Sequence, residues 1–400
     1  MSQPTTELRL VPLRSQIREL LDRRLVEVVE MVLQEELTSA LGVEPYERSE
    51  ERRGERNGST HRGITTELGN MELDVPRGRI QDLDGSSREF QSAILPRYAR
   101  RTKEVDDAIL GAYLAGANTR RIRKALAPLL GEANLSKSAV SRVVGRLKDL
   151  FARWSERDLS EERYAIIFFD AINMRVRLAK RVVKVPVLVA LGVEENGQKT
   201  VIDLRLAVSE SGAAWGELVE NLGRRGLPEP VLVVSDGHAG LKQAMKLWEE
   251  AQVQRCAIHK RENLYTHCPK HARAEMKRDY DRIICAKNGL AARKAYDEFL
   301  SKWSRLCPPV AKSLEEGGEH LLTFYQFPRG LWGSIRSTNS IENLNREFRR
   351  RTKTQASFST EAAATTLLYG LIAFGQITLR RIDGFRHVQK LADMPSSDAA

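Results

Sequence analysis

Three acidic residues stand where a charge is costly unless a cation meets it. Asp170 closes the apolar run Tyr164-Ala165-Ile166-Ile167-Phe168-Phe169, and Asp236 closes Pro230-Val231-Leu232-Val233-Val234-Ser235. Both runs predict buried strands, which puts each carboxylate at the rim of a sheet. Glu342 follows in Ser340-Ile341-Glu342-Asn343-Leu344-Asn345-Arg346, at the opening of a basic helix. Carboxylates from separate elements that converge on two divalent ions about 4 Å apart activate an attacking water or hydroxyl and stabilise a leaving oxygen. Mg2+ suits such a site, with Mn2+ as its substitute, because it takes few protein carboxylates and shares phosphate oxygens. Alone, either aspartate reads more often as the cap of a turn, and Asp236-Gly237 is a good turn pair. Alone, Glu342 reads as half of an exposed Glu–Arg helix pair. The three together, in that order, point to Asp170, Asp236 and Glu342 as ligands of a shared pair of ions.

The rest of the chain favours an anionic partner for such a site. Of 400 residues, 64 are Lys or Arg and 53 are Asp or Glu, a formal net charge of +11. That excess suggests phosphate-bearing partners, and an anionic membrane surface less, although basic charge alone is poor evidence for double-stranded DNA. The length exceeds what one core usually serves, so two or more domains are expected. Residues 1–15 lack the apolar core of a secretory signal, and the run Leu367–Leu379 is too short and too interrupted to span a bilayer. Four cysteines in so long a chain make no disulfide framework, and a reducing, cytoplasmic setting is expected.

The elements that must position the carboxylates can be read in outline. Residues 16–41 predict one amphipathic helix, with Ile17, Leu21, Leu25, Val28 and Val32 on its apolar stripe and Gly42 as its stop. Its stripe makes it a candidate for dimerisation or for packing within the N-terminal region. A polar stretch, Glu47–Gly63, precedes a hairpin over Ile64–Val75 that turns at Gly69-Asn70 and ends at Pro76. Residues 104–150 predict three helices: Val105–Ala115, then Arg120–Leu130 capped by Thr119, then one capped by Ser136 or Ser138 that runs to Leu150. The third sets Arg142, Arg146 and Lys148 beside a stripe of Val140, Val143 (or Val144) and Leu147, as a helix-turn-helix would; a small bundle with solvated cations is the plain alternative. From residue 160 strands dominate: Tyr164–Asp170, Met174–Leu178, Val185–Val193 and Thr200–Val208, then a helix at Trp215–Leu222, the Asp236 strand, a helix over 239–250 and a short strand at Val253–Ile258. This order predicts a mixed α/β sheet. Residues 260–330 turn helical and charged, like an insertion. Helices return at 339–352 and 360–380. On the first of these, Ile341, Leu344 and Phe348 share one face, and Glu342, Asn345, Arg346 and Arg349 another. Thr338, Asn339 and Ser340 offer caps for it. Arg346, Arg349, Arg350, Arg351 and Lys353 are expected to hold backbone phosphates beside the ions.

Several segments carry a specific resemblance. Phe169-Asp170-Ala171, Val234-Ser235-Asp236-Gly237-His238-Ala239-Gly240-Leu241, Arg255-Cys256-Ala257-Ile258-His259-Lys260 and Thr338-Asn339-Ser340-Ile341-Glu342-Asn343-Leu344-Asn345-Arg346 resemble the Mutator-type (IS256-family) bacterial transposases, as do Arg56-Asn57-Gly58 and Leu73-Asp74-Val75-Pro76-Arg77 upstream. The likeness extends over about residues 50–380. It implies an α/β, RNase-H-like mixed-sheet core interrupted by an all-helical insertion, with an N-terminal helical, helix-turn-helix DNA-binding region. The expected segments are 1–95 (helix and hairpin), 96–158 (helix-turn-helix), 159–266 and 334–392 (the two parts of the core), 267–333 (the insertion) and 393–400 (a disordered tail). The resemblance further implies a D-D-E triad of Asp170, Asp236 and Glu342, cleavage at terminal inverted repeats, strand transfer into target DNA, and a homodimer on that DNA.

The family's C-x-x-H pair falls on Cys256 and His259. Ala257 stands where the family often has Trp, which bears on packing rather than chemistry. A bare pattern of Cys256, His259, His267, Cys268 and His271 also suggests zinc, but the family motif accounts for the first pair and the second lacks knuckle glycines. His238 and Trp332 are lesser candidates, for assisting the site or contacting DNA and for stacking on an unpaired base; ordinary turn and packing roles are the plainer readings. Two other functions stay open: an RNase-H-like nuclease that never joins strands, and a DNA-binding repressor with a dead site.

Overall fold

The structure is a computed structural model that describes residues 10–391 except 51, 83–84, 131–134, 179, 238–247, 354–357 and 359. Most of the helix expected over 239–250, His238 and the tail 393–400 lie outside the described residues. Two compact units divide between Gly145 and Arg146. The fold is mixed α/β, with two sheets and many helices.

The first unit begins with α1, Leu10–Leu41, longer than the expected 16–41. Its buried side chains are Leu33, Leu37 and Leu41, whereas Ile17, Leu21, Val28 and Val32 of the expected stripe are exposed. The reason is that only the C-terminal half of α1 finds a sheet. Leu33 packs on Ile64, Met71, Leu73 and Val75, and Leu37 and Leu41 pack with Val43 and Ile80. That sheet is formed by β1 (Gly54–Thr66), β2 (Gly69–Gln81) and β3 (Ser87–Glu89). The hairpin is therefore longer than Ile64–Val75, and the polar stretch before it is strand from Gly54 onward. Asn57-Gly58 is not a turn but a bulge. Arg56 pairs with Gly78 and Ser59 with Pro76, so two residues oppose one, and Gly58 takes a φ of 70°. Pro76, which has no N–H to give the ladder, sits inside β2 beside that bulge instead of ending the strand. Opposite it the buried phase of β2 switches from Met71, Leu73 and Val75 to Pro76, Gly78 and Ile80.

Three helices follow: α2 (Lys103–Leu114), α3 (Thr119–Leu130) and α4 (Lys137–Ser155). The cap of α3 is Asn118, whose Oδ1 accepts the Arg121 N–H at 3.0 Å, and not Thr119, which is already helical. Ser136 caps α4 by accepting the Ala139 N–H at 3.1 Å. Val140, Val143 and Leu147 are buried on α4, and Arg142, Arg146 and Lys148 are exposed.

The second unit is organised by a five-stranded sheet of β4 (Ile166–Leu178), β5 (Arg181–Val193), β6 (Lys199–Leu206), β7 (Leu232–Ser235) and β8 (Gln252–Arg255), in the order β6-β5-β4-β7-β8. The β4–β5 and β5–β6 pairs are antiparallel and the β4–β7 and β7–β8 pairs parallel. Two expected runs, Tyr164–Asp170 and Met174–Leu178, form one strand, so Asp170 lies within β4 and does not close it. The ladder to β5 continues unbroken past the Asp170–Val189 pair, which holds the backbone extended through Ala171-Ile172-Asn173. Alternation sends Ile167 and Phe169 to one face, where they join Leu188, Ala190 and Ile202 beneath Trp215, Leu218 and Leu222 of α5 (Gly212–Arg224). Burying that set stabilises the unit by roughly 1.5–3 kcal/mol per large apolar side chain. Ile166, Phe168, Asp170 and Ile172 take the opposite face.

Beyond β8 the described chain is helical: α6 (Ala257–His267), α7 (Arg273–Ile284), α8 (Gly289–Leu306), α9 (Pro308–Gly317), α10 (Trp332–Ile335), α11 (Asn339–Thr352) and α12 (Glu361–Ala373), with short 3-10 turns between. The expected strand Val253–Ile258 stops at Arg255 because Cys256 turns the chain into α6. The helix expected over 360–380 stops at Ala373, where Gly375 has a φ of 66°. Trp332 is a packing residue: its indole N–H donates to the Phe327 carbonyl at 2.7 Å, and its ring meets Tyr325 edge-on at 4.8 Å.

Candidate active site

The parallel pairing of β4 with β7 aligns the two aspartates. Phe168 pairs with Val234, and two residues further along each strand stand Asp170 and Asp236. Asp236 leaves the sheet at the end of β7, and the turn it opens is tightly held. Gly237 has a φ of 83° and would bring a Cβ within 2.5 Å of Arg255 Nε, so only glycine fits there. The Cys256 N–H reaches back to the Ser235 carbonyl at 2.6 Å, which starts α6 beside the end of β7. His259, one turn into α6, thereby faces the same edge.

Helix α11 brings the third carboxylate. Ile341, Leu344 and Phe348 are buried, as the helical period predicts, but Asn345 is buried with them at 1% exposure. Its amide donates to Asp170 Oδ2 at 2.9 Å, while its own Oδ1 has no partner. Thr338 is fully buried and makes no capping bond; its side chain is turned inward. Its hydroxyl lies 3.2 Å from Glu342 Oε1, 3.4 Å from Cys256 Sγ and 3.4 Å from His259 Nδ1, and its N–H donates to Cys256 Sγ at 3.3 Å. Thr338, Glu342 and Asn345 follow one another at i, i+4 and i+7, one stripe of one helix. Glu342 Oε1 stands 3.7 Å from His259 Nε2. Sequence reasoning placed Asn345 on the wet face and read Thr338 only as a cap. The signal that could have found them was their spacing of three and four residues from Glu342.

The electrostatics follow from this packing. Burial pushes the Asp170 carboxyl up to about 6; the neighbouring Asp236 and Glu342 charges push the same way, while the Ala171 N–H and His259 pull it down. His259 is pushed up to about 9, first by its hydrogen bond to Cys256 and further by the Cys256, Asp170 and Asp236 charges, against the effect of burial. Burial alone would push the Cys256 thiol up, but the bond to His259, its charge and the Thr338 donor outweigh that and hold it below its ordinary value. Three carboxylates thus share one protonated imidazole. Hard divalent cations take oxygen donors and would offset such crowded negative charge, yet among the described residues Asp170 and Asp236 do not join Glu342 in a group whose ligand atoms all lie within 4.8 Å of one another.

The residues of the expected phosphate-binding run border two clefts. Arg346 and Arg350 line a cleft of about 570 Å3 with Lys199 and Arg380, while Arg349 and Lys353 line another of about 310 Å3 with Arg175. Arg351 is committed within the protein, donating to the Gln376 carbonyl at 2.8 Å. The five-residue zinc pattern does not assemble: among the described residues, the one metal-compatible group of three or more His, Cys, Asp or Glu is Cys256, His259 and Glu342. All four cysteines are free, and no helix among the described residues is long and apolar enough to cross a membrane.

A family model described as transposase, Mutator family, matches residues 3–375. The chain is 34% identical over 374 residues to the transposase for insertion sequence element IS905 of Lactococcus lactis subsp. lactis (strain IL1403), covering 93% of each chain. It is 36% identical over 332 residues to the transposase for ISRM5 of Rhizobium meliloti (strain 1021), covering 81% of this chain and 80% of that one. It is 31% identical over 351 residues to the transposase for IS256 in transposon Tn4001 of Staphylococcus aureus, covering 86% and 87%.

Proposed function

The chain belongs to the Mutator family of transposases, and we propose that it works as a DDE transposase, binding the terminal inverted repeats of an insertion sequence, cleaving DNA strands and joining them to a target. The observation that carries this reading is that Asp170 lies level with Asp236 across two parallel strands and feels the charge of Glu342 from α11. The sheet order, antiparallel on one side of β4 and parallel on the other, supports an RNase-H-like core over 159–266 and 334–392, with the helices of 267–333 as an insertion. Two capped helices and the exposed Arg142, Arg146 and Lys148 support a helix-turn-helix within 96–158 that reads the ends. Joining two ends to one target calls for a homodimer on DNA, acting in the cytoplasm on the bacterial nucleoid.

Asp170 and Asp236 would hold both Mg2+ ions and Glu342 one of them. When bound, the ions supply Lewis-acid activation of the attacking oxygen and stabilisation of the leaving one. The protein's own part is to hold the carboxylates in place. Asn345 fixes the rotamer of Asp170 through its amide, and Thr338 fixes Glu342 against α6. His259 keeps its proton through neutral pH and so lets three acids converge without a full burden of repulsion. Arg346, Arg349, Arg350 and, just past the end of α11, Lys353 would hold phosphates near Glu342. The test is Asp170→Asn. Binding to terminal-repeat DNA is retained, and Mg2+-dependent nicking and strand transfer are lost. Nicking and joining by this variant at the wild-type rate refutes the assignment.

A further inference from the structure

Cys256 and His259 have no direct part in phosphoryl transfer, yet they adjoin its third carboxylate. We propose that Cys256, His259 and Glu342 form a second cation site, specific for a thiophilic divalent ion of the Zn2+ class, whose occupation withdraws Glu342 from the catalytic ions and shuts the enzyme off. The donor atoms of the three residues lie within 4.8 Å of one another. Bonds of about 2.0–2.3 Å in a tetrahedral zinc site hold donors roughly 3.3–3.8 Å apart, so shifts of no more than about 1.5 Å close the set. The His259–Glu342 separation of 3.7 Å already meets that spacing. Sulfur and imidazole select zinc over magnesium, which prefers oxygen donors and its own water.

The surroundings are those of a metal-binding thiolate. Cys256 is fully buried, and its sulfur receives the Thr338 N–H at 3.3 Å, a donor that favours S− over SH, with the Thr338 hydroxyl 3.4 Å away. The side chains of His259 and Glu342 are 36% and 38% exposed, which leaves a route for an ion and a fourth position for water. The inhibitory consequence rests on the catalytic reading of Glu342, but the binding site does not.

The test is a titration of the intact chain with Co2+, a coloured stand-in for Zn2+. Wild type develops a thiolate-to-cobalt charge-transfer band that Zn2+ abolishes. Cys256→Ser lacks the band. His259→Ala and Glu342→Gln bind Co2+ at least tenfold more weakly, and Asp170→Asn keeps the band although it is inactive. In parallel, with Mg2+ fixed, the Zn2+ concentration that halves DNA cleavage rises at least tenfold in Cys256→Ser, each protein measured against its own zinc-free rate. Matched thermal unfolding shows that the variants are folded. Absence of the band in wild type, or a band of unchanged affinity in Cys256→Ser that places the sulfur at Cys268, Cys285 or Cys307, overturns the proposal. If wild type never cleaves DNA, the transposase reading fails, while the cobalt titration still decides the site.

Discussion

Two histidine–carboxylate clusters, one on the first sheet and one between α6 and α11 of the second unit, differ in their surroundings. On the first sheet His61 of β1 lies 3.1 Å from Asp74 and 3.4 Å from Glu72 of β2, with side chains 68%, 62% and 52% exposed. In the second unit His259 faces Glu342, and its charge also acts on Asp170 and Asp236. The residue types are the same, and the first cluster has the shorter distances. Water decides between them. Around His61 it screens every charge, and such pairs contribute about 0–1 kcal/mol. Around His259 the strands, α6 and α11 displace it; burial pushes Asp170 up to about 6, whereas the bond from His259 to Cys256 and the nearby negative charges raise His259 to about 9 against burial. A cluster becomes a site when its neighbours desolvate it and fix its rotamers, as Asn345 and Thr338 do here.

The contrast can be broken by paired substitutions. The largest effect is expected from Asp170→Asn, which lowers Mg2+-dependent strand cleavage by about a thousandfold or more, beyond the 10–100-fold typical of residues that only support a metal ligand. Asp74→Asn, its exposed counterpart, leaves the rate within about twofold, as surface substitutions generally do. Equal losses in single-turnover assays would erase the distinction between the clusters. Next comes Asn345→Leu, which should cut cleavage by about 10–100-fold and weaken Mn2+ binding, measured by calorimetry, by a similar factor. Unchanged Mn2+ affinity would reduce Asn345 to a packing residue.

Stability sharpens the same contrast with smaller effects. The folded Asp170 has a pKa of about 6, above its ordinary 3.8, so its ionised form opposes folding at neutral pH. Asp170→Asn should therefore raise Tm at pH 7.5, by roughly 2–4 °C for each 1 kcal/mol of relieved charge, and the gain should shrink as pH falls from 6 towards 4. A variant less stable than wild type at pH 7.5 would contradict this. His259 has the opposite dependence. Its folded pKa of about 9 exceeds 6.5, so its contribution is complete below pH 6.5 and is lost as pH rises through 9. Accordingly His259→Gln should lower Tm at pH 6 and have little effect at pH 10, while His61→Gln changes stability by no more than about 0.5 kcal/mol at either pH.

What was legible in the sequence reflects the same physics. Period-two alternation marked Met71, Leu73 and Val75, and the continuous apolar run of β5 marked a strand buried on both faces. The acidic residues stood out because a carboxylate beside Phe168-Phe169 or Val233-Val234 is anomalous. Tertiary context hid the rest. Asp170 looked like a strand end because polar Asn173 follows closely, but pairing with β5 carries the strand through. Pro76 looked like a stop, but a bulge accommodates it. The apolar residues at 17, 21, 28 and 32 looked like the buried stripe of α1, but the sheet lies under its other half and another face. Asn345 is polar and was read as solvated; its spacing of three residues from Glu342 was the local signal, but its partner, Asp170, lies 175 positions away.

The most direct test counts ions on the DNA-bound protein. Titrating Mn2+ into wild type held on a terminal-repeat duplex, followed by electron paramagnetic resonance, should give two ions per protomer. Asp170→Asn and Asp236→Asn should each weaken both, and Glu342→Gln should weaken one. Wild-type stoichiometry and affinity in any of the three variants would show that the three carboxylates do not share one pair of cations.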